Sequence, residues 1–168
     1  EGCTEPLRRS NLRLTIRFVG TIEQASARIL ERQRHTLDPA VITIETIGPV
    51  CAKAALKALQ EADFLLLMCD ERLTRYLPGK LYDYLASGRP ILVFGEDGEV
   101  SATVESLSAG VRIRPGESHR LVALLRGELS IPKYVELRVY QEWLASHSRQ
   151  RLAARLFARL GDTVGLQS

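Results

Sequence analysis

The chain has 168 residues, 45% of them apolar and 26% charged, and a formal net charge of +3. That length and mix describe one domain with a core of its own, and they exclude disordered, collagen-like and low-complexity classes. The excess of positive charge is too small to argue for nucleic acid by itself, and no apolar run reaches the ~18 residues a membrane-spanning helix needs.

Residues 1–11 (EGCTEPLRRSN) are polar, contain Pro6, and read as a lead-in or linker remnant. Leu12 to Val19 alternates Leu12, Leu14, Ile16 and Phe18 with Arg13, Thr15 and Arg17, the period of two expected of a strand. Gly20-Thr21 ends it. Ile22, Ala25, Ile29 and Leu30 then form a helical stripe, which Asp38-Pro39 breaks. Val41 to Ile47 is β-branched and reads as a second strand, closed by Gly48-Pro49. Ala52, Ala55, Leu56 and Leu59 mark a helix with Lys53, Lys57 and Gln60 on its wet side. Asp63 to Met68 is a short continuous apolar run, the pattern of a buried parallel strand.

Cys69 to Tyr76 is a polar connection, and Pro78-Gly79-Lys80 opens the helix LYDYLAS that Gly88 closes. Pro90 to Phe94 is a further buried strand, followed by the loop Gly95-Glu96-Asp97-Gly98. Asp97 and Glu99 read as solvated turn residues beside a predicted cleft. Val100, Val104 and Leu107 mark a helix stopped by Gly110, and Val111 to Arg114 is a short strand. After Pro115-Gly116 comes a helix bearing Leu121, Val122, Leu124 and Leu125. Residues 134–160 read as one or two long amphipathic helices.

Strands alternating with helices predict an α/β, Rossmann-like, doubly wound parallel sheet with a C-terminal helical extension. The divisions are 1–11 lead-in, 12–130 Rossmann-like domain and 131–168 C-terminal helices. In such sheets ligands sit beyond the carboxyl ends of the strands, at the topological switch point. The three cysteines, Cys3, Cys51 and Cys69, form no C-x-x-C pair, and the three histidines lie far apart. A disulfide framework or zinc site is not expected, and a reducing, cytoplasmic setting is. The chain opens Glu1-Gly2-Cys3 and its one methionine is Met68. That suggests a processed chain or a piece of a longer one.

The most informative stretch is PGKLYDYLASGRP, residues 78–90. A helix N-terminus offers free N–H groups and the positive end of the helix dipole, which suits phosphate. Gly79 lets a ligand approach the backbone, and Lys80 adds a full charge where the dipole alone would disfavour it. Asp83 falls three residues on, on the same helix face, where a carboxylate could take two hydrogen bonds from a ribose diol. The plainer alternative is a solvated Lys80–Asp83 surface pair with Pro-Gly as helix punctuation.

Residues 63–90, with ILVFG and AGVRIRPGES after them, resemble the C-terminal domain of group 1 glycosyltransferases of the GT-B architecture. These carry two Rossmann-like domains facing across a cleft. The similarity runs from about Phe18 to Leu125. It implies a family 4-like donor-binding domain for a nucleoside-diphosphate sugar, UDP- or GDP-linked, with no obligatory metal ion. By that resemblance Gly20 and Thr21 would lie under the diphosphate, and Gly48, Pro49 and Val50 beside the base. Gly79, Lys80 and Leu81 would offer N–H groups to the diphosphate, and Asp83 would hold the ribose. Many members carry two glutamates eight residues apart at this helix; here Arg75 replaces the first and Asp83 shortens the second. The Arg and Lys that often follow the first strand are also missing.

The resemblance further implies a partner half, an N-terminal domain holding the acceptor site and the catalytic base. The catalytic residues are therefore not assigned, and the chain alone is expected to bind nucleotide without transferring sugar to a glycan or lipid-linked acceptor. Leu152, Leu156 and Leu160, with Phe157, give a C-terminal stripe beside Arg151, Arg155 and Arg159. Docking on the domain, crossing to the N-terminal half, and peripheral contact with anionic lipid at the inner membrane face are its three readings. Tyr134, Tyr140 and Trp143 read as packing anchors, with no nucleic-acid platform. A receiver-like module lacks its acids after the first strand, and a dinucleotide-binding domain lacks G-x-G-x-x-G. A non-catalytic scaffold with a degenerate nucleotide site and half of a sugar-nucleotide epimerase remain as alternatives.

Overall fold

A computed structural model describes residues 3–69, 75–131, 137–147, 150, 151, 153, 154 and 158. In chain order the elements are α1 (Thr4–Arg9), β1 (Leu14–Val19), α2 (Gln24–Thr36), β2 (Ile42–Ile47), α3 (Ala52–Glu61) and β3 (Leu65–Met68). There follow α4 (Gly79–Ser87), β4 (Ile91–Phe94), α5 (Glu99–Ser106), β5 (Gly110–Ile113), α6 (Ser118–Leu125) and α7 (Leu137–Ser146). The strand–helix alternation is the Rossmann-like α/β pattern. The Leu152, Leu156 and Leu160 stripe, Phe157, and Tyr134 lie outside the described residues.

All described strand pairs are parallel. β1 pairs β2 from Leu14 opposite Ile42 to Val19 opposite Ile47. β4 sits between β3 and β5, with Leu65 opposite Ile91 and Ile91 opposite Gly110. The two ladders run β1-β2 and β3-β4-β5. Among the described residues no ladder joins β1 to β3. Sequence alone suggested one continuous sheet; the described residues form two shorter ones, with β3 paired along one edge only.

Side chains opposite each other in a parallel ladder share a face. Leu67, Ile91 and Val93 point to one face, beneath Leu81 and Leu85 of α4 and Val100 and Val104 of α5, with Tyr140 of α7 in the same buried cluster. Val111 and Ile113 point to the other, and α6, with Val122 and Leu124 buried, packs against β5. Helices thus cover both faces of the three-stranded sheet.

The amino ends of β1 and β2 are plugged. Residues 4–9 are not the expected polar lead-in; they form a helix whose Leu7 is completely buried with Val41 and Ile42. Pro6 is tolerated because it sits in the first turn, where its missing N–H has no intrahelical partner. Glu5 near the start and Arg8 and Arg9 near the end suit the helix dipole. Arg126 of the α6 C-cap donates to Ser10 Oγ at 2.6 Å and to the Pro6 carbonyl at 3.2 Å, and Arg8 pairs with Asp38. The carboxyl end is different. The last residues of the first four strands, Val19, Ile47, Met68 and Phe94, are 37–68% exposed. The open end of the sheet is therefore the end where ligands bind in this architecture.

Gly110 does not stop a helix, as its spacing suggested; α5 ends at Ser106 and Ser108 turns the chain at φ +49°. Gly110 is the first residue of β5, and a Cβ there would lie 1.8 Å from the Ile91 carbonyl oxygen. At Gly48 a Cβ would meet nothing within 4 Å. Gly110→Ala should therefore lose at least about 2 kcal/mol of stability in urea unfolding, through disruption of the β4–β5 ladder. Gly48→Ala should stay within about 0.5 kcal/mol of the parent.

Candidate functional site

β1 gives way to Gly20 at φ +123°, a conformation that side-chain-bearing residues rarely adopt. Its N–H donates to the Ile47 carbonyl at 2.9 Å, so the ends of β1 and β2 are tied together. A Cβ at Gly20 or Gly48 would touch nothing, leaving both backbones open to close approach.

Gly20 and Gly48, both expected from sequence to face nucleotide, line one cavity of about 310 Å³. α2 roofs it. The stripe expected on α2 was Ile22, Ala25, Ile29 and Leu30, but Ala25 and Ile29 face outward and Ile29 is 51% exposed. The inward residues are Ala27, Leu30, Glu31 and Arg34. Arg34 ties this face of the helix to β2. Its Nε donates to the Ile44 carbonyl at 3.0 Å, Nη2 to Thr46 Oγ1 at 2.9 Å and Nη1 to Glu31 Oε2 at 3.0 Å. Sequence reasoning missed Glu31 and Arg34. The available signal was their i, i+3 spacing as opposite charges, one turn along from Ala27 and Leu30. Thr21, Pro49 and Val50 are exposed beside this cavity but do not line it.

The second group of expected residues lies at the start of α4. Pro78 is the extended N-cap, one position before the first turn where sequence placed it. Leu81 and Leu85 are buried on the core side of the helix. Lys80 and Asp83 fall on its exposed side and make no hydrogen bond or ion pair among the described residues. The solvated Lys80–Asp83 pair therefore does not form. Leu81 is less available than expected: its side chain is fully buried and its N–H donates to the Pro78 carbonyl at 3.0 Å. That leaves the amides of Gly79 and Lys80 without partners among the described residues. Gly88, at φ +72°, closes the helix with its N–H on the Leu85 carbonyl at 3.2 Å.

α4 is braced laterally. Arg89 donates to the Gln60 carbonyl at the end of α3. Tyr82 meets Trp143 of α7 with ring centroids 5.4 Å apart, and Trp143 stacks on His147 at 4.4 Å. Burial first, and then the nearby Asp83 charge, pushes the Tyr84 and Tyr140 phenols up. Asp83 is thus felt on two sides while its own carboxylate stays exposed.

The loop after β4 forms the third wall of the open end. Gly95, at φ +147°, runs so close to β3 that a Cβ would lie 2.5 Å from the Cys69 carbonyl oxygen. Asp97 is not merely a solvated turn residue. Arg114 Nη2 donates to its Oδ2 at 2.9 Å, and Arg112 Nη1 lies 2.6 Å from its Oδ1. The Arg112 contact is an ion pair whose angles fall outside hydrogen-bond geometry, so Nε and Nη1 of this nearly buried side chain are held by charge alone. Among the described residues no group of three or more His, Cys, Asp or Glu side chains is placed to hold a metal ion. No helix among them is long and apolar enough to cross a membrane.

No protein-family profile matches the chain, and no curated protein matches it. Among solved structures it is similar to AviGT4, a glycosyltransferase involved in avilamycin A biosynthesis, at 18% identity and a TM-score of 0.48. The match covers 90% of this chain and 47% of that one, so this chain spans just under half the length of that glycosyltransferase.

The hydrogen bond from Arg114, with the charges of Arg112 and Arg114, holds the Asp97 carboxyl below the usual carboxylate range. A depressed folded-state pKa gives stability that is present above the unfolded value and lost as pH falls through the folded one. Following Asp97 by NMR, we expect a midpoint below that of an unfolded-chain aspartate. Arg114→Ala should move it back upward. An unchanged midpoint in that variant would show that the loop is not held by this pair.

Proposed function

We propose that this chain is the donor-side domain of a glycosyltransferase of the GT-B kind, binding a nucleoside-diphosphate sugar across the carboxyl ends of its strands. The single observation that carries the reading is the convergence of Gly20 and Gly48 on one cavity at the open end of a parallel sheet. The start of α4 supports it: among the described residues the Gly79 and Lys80 amides, the Lys80 ammonium and the Asp83 carboxylate, on one exposed side, have no partner. In this reading the Gly79 and Lys80 amides and the Lys80 ammonium hold the diphosphate, and Asp83 takes the ribose hydroxyls. The leaving diphosphate gains charge as the glycosidic bond breaks, and fixed N–H dipoles with a cation stabilise that charge without reorganising.

The acceptor wall and the catalytic base belong to a second domain, so we infer nucleotide binding without transfer by this chain alone. A cytoplasmic setting and peripheral membrane contact through the C-terminal helix belong to the same proposal. One observation favours a second reading. The exposed Arg75 stands where many relatives of this kind carry an acid, which suits a binding module whose catalytic set is incomplete.

Calorimetric titration with UDP, GDP and ADP tests the proposal. One of the three should bind, and Lys80→Ala should weaken it about tenfold, or about 1.4 kcal/mol. Asp83→Ala should weaken it by a similar factor. A folded protein that binds none of the three, or binds one with both variants unchanged, contradicts the assignment.

A further inference from the structure

α4 is nine residues long, and its first turn is weak on its own. It opens on Gly79, a poor helix former, and the Pro78 cap brings no side-chain hydrogen bond. A helix this short frays unless tertiary contacts hold it. On the inner side Leu81 and Leu85 do so, packed into the core. Lys80 and Asp83 lie on the other side. Arg89, just past the far end, is tied to α3.

The hold on the outer side comes from beyond the strand–helix repeats. Tyr140, Trp143 and His147 stand at i, i+3 and i+7, on one face of the helical turns of α7. Tyr140 is 7% exposed and joins the cluster of Leu81 and Leu85. Trp143 sits against Tyr82 at 5.4 Å, and His147 stacks on Trp143 at 4.4 Å with the planes 24° apart. The His147 ring is itself held, its Nδ1 2.9 Å from the Trp143 carbonyl oxygen and 2.8 Å from Ser146 Oγ. The indole is therefore set from the α7 side, and it meets α4 at Tyr82, between Lys80 and Asp83. The one cation within α7, Arg138, pairs with Glu142 on the surface of α7 itself. The groups that feel the Asp83 charge are phenols, Tyr84 and Tyr140. α7 thus steadies this side of α4 without neutralising its carboxylate.

We propose that α7 belongs to the nucleotide site and that Trp143 is a positioning residue for it. Through Tyr82 it holds the first turns of α4, so that the Gly79 and Lys80 amides, the Lys80 ammonium and Asp83 keep one arrangement. The inference rests on the nucleotide-binding reading above and makes the helix after the Rossmann-like domain a working part of that site. A turn held in place meets the diphosphate without the ordering cost that a fraying one incurs on binding.

The test compares the parent with Trp143→Ala, Trp143→Phe and Leu144→Ala, the last an exposed neighbour on α7 outside the stack. Each is measured twice: by amide hydrogen exchange of the free chain, and by calorimetric affinity for whichever of UDP, GDP and ADP the parent binds. Trp143→Ala should speed exchange at Leu81, whose N–H closes the first turn on the Pro78 carbonyl. Ile91, bonded to the Ala109 carbonyl in the sheet, should keep the parental rate. The same variant should weaken the nucleotide about fivefold. Trp143→Phe, which keeps a ring against Tyr82, should restore both readouts to within about twofold of the parent, and Leu144→Ala should match the parent. Faster exchange at Leu81 and Ile91 alike would make Trp143 a general stabiliser, and an affinity blind to Trp143→Ala would give it no part in the site. Either result overturns the inference and leaves the α4 site standing. A parent that binds none of the three nucleotides overturns the nucleotide reading and this inference with it.

Discussion

The packing of Leu81 and Leu85 against Ile91 and Val93 is the interaction on which the candidate site depends. Both leucines are essentially without exposure and lie one turn apart, so they fix the rotation of α4 as well as its position. Burial of a leucine side chain is worth roughly 1.5–3 kcal/mol, whereas an exposed ion pair is worth about 0–1 kcal/mol. Packing therefore decides where α4 lies, and the charges follow. With Leu81 turned inward, Lys80 and Asp83 must face out, and neither spends its charge on the other.

Parallel pairing adds the second constraint. Because neighbouring strands run the same way, all their carboxyl ends within a ladder emerge together. The amino ends of β1 and β2 are closed by Leu7, Val41 and Ile42, and the α1–α6 contacts lock that closure. The carboxyl ends instead carry exposed apolar residues, three strand-end glycines (Gly20, Gly48 and Gly95) and a loop pinned by Arg112 and Arg114. One end of the domain is built for stability and the other is left open. The carboxyl end of β1–β2 offers a partly apolar cavity, and the start of α4 offers cation and amides. A nucleoside diphosphate has those two halves in its own structure.

Much of this was legible in the sequence, for identifiable reasons. The alternation of Leu14, Ile16 and Phe18 with Thr15 and Arg17 names β1 because one face is wet, and the β-branched run before Gly48 names β2 in the same way. Gly88 marks the end of α4 because the chain there needs a left-handed residue. The failures were tertiary. α1 has six residues and no periodicity; it stands because Leu7 finds a hole at the base of the sheet. α2 has apolar residues on more than one face, and the bond from Arg34 to the Ile44 backbone, which marks the face turned to β2, is invisible in sequence. Gly110 reads as a helix stop, but the demand on it is the proximity of β4.

The central claim is that one nucleotide spans both the cavity under α2 and the start of α4. Amide NMR of the isotope-labelled chain during titration with the best-binding nucleoside diphosphate tests it directly. The account predicts that the Gly20, Gly48, Gly79 and Lys80 amides move together with a single saturation curve, while Leu7 and Val41 at the closed end stay still. Shifts confined to one of the two groups, or centred on the closed end, would contradict it.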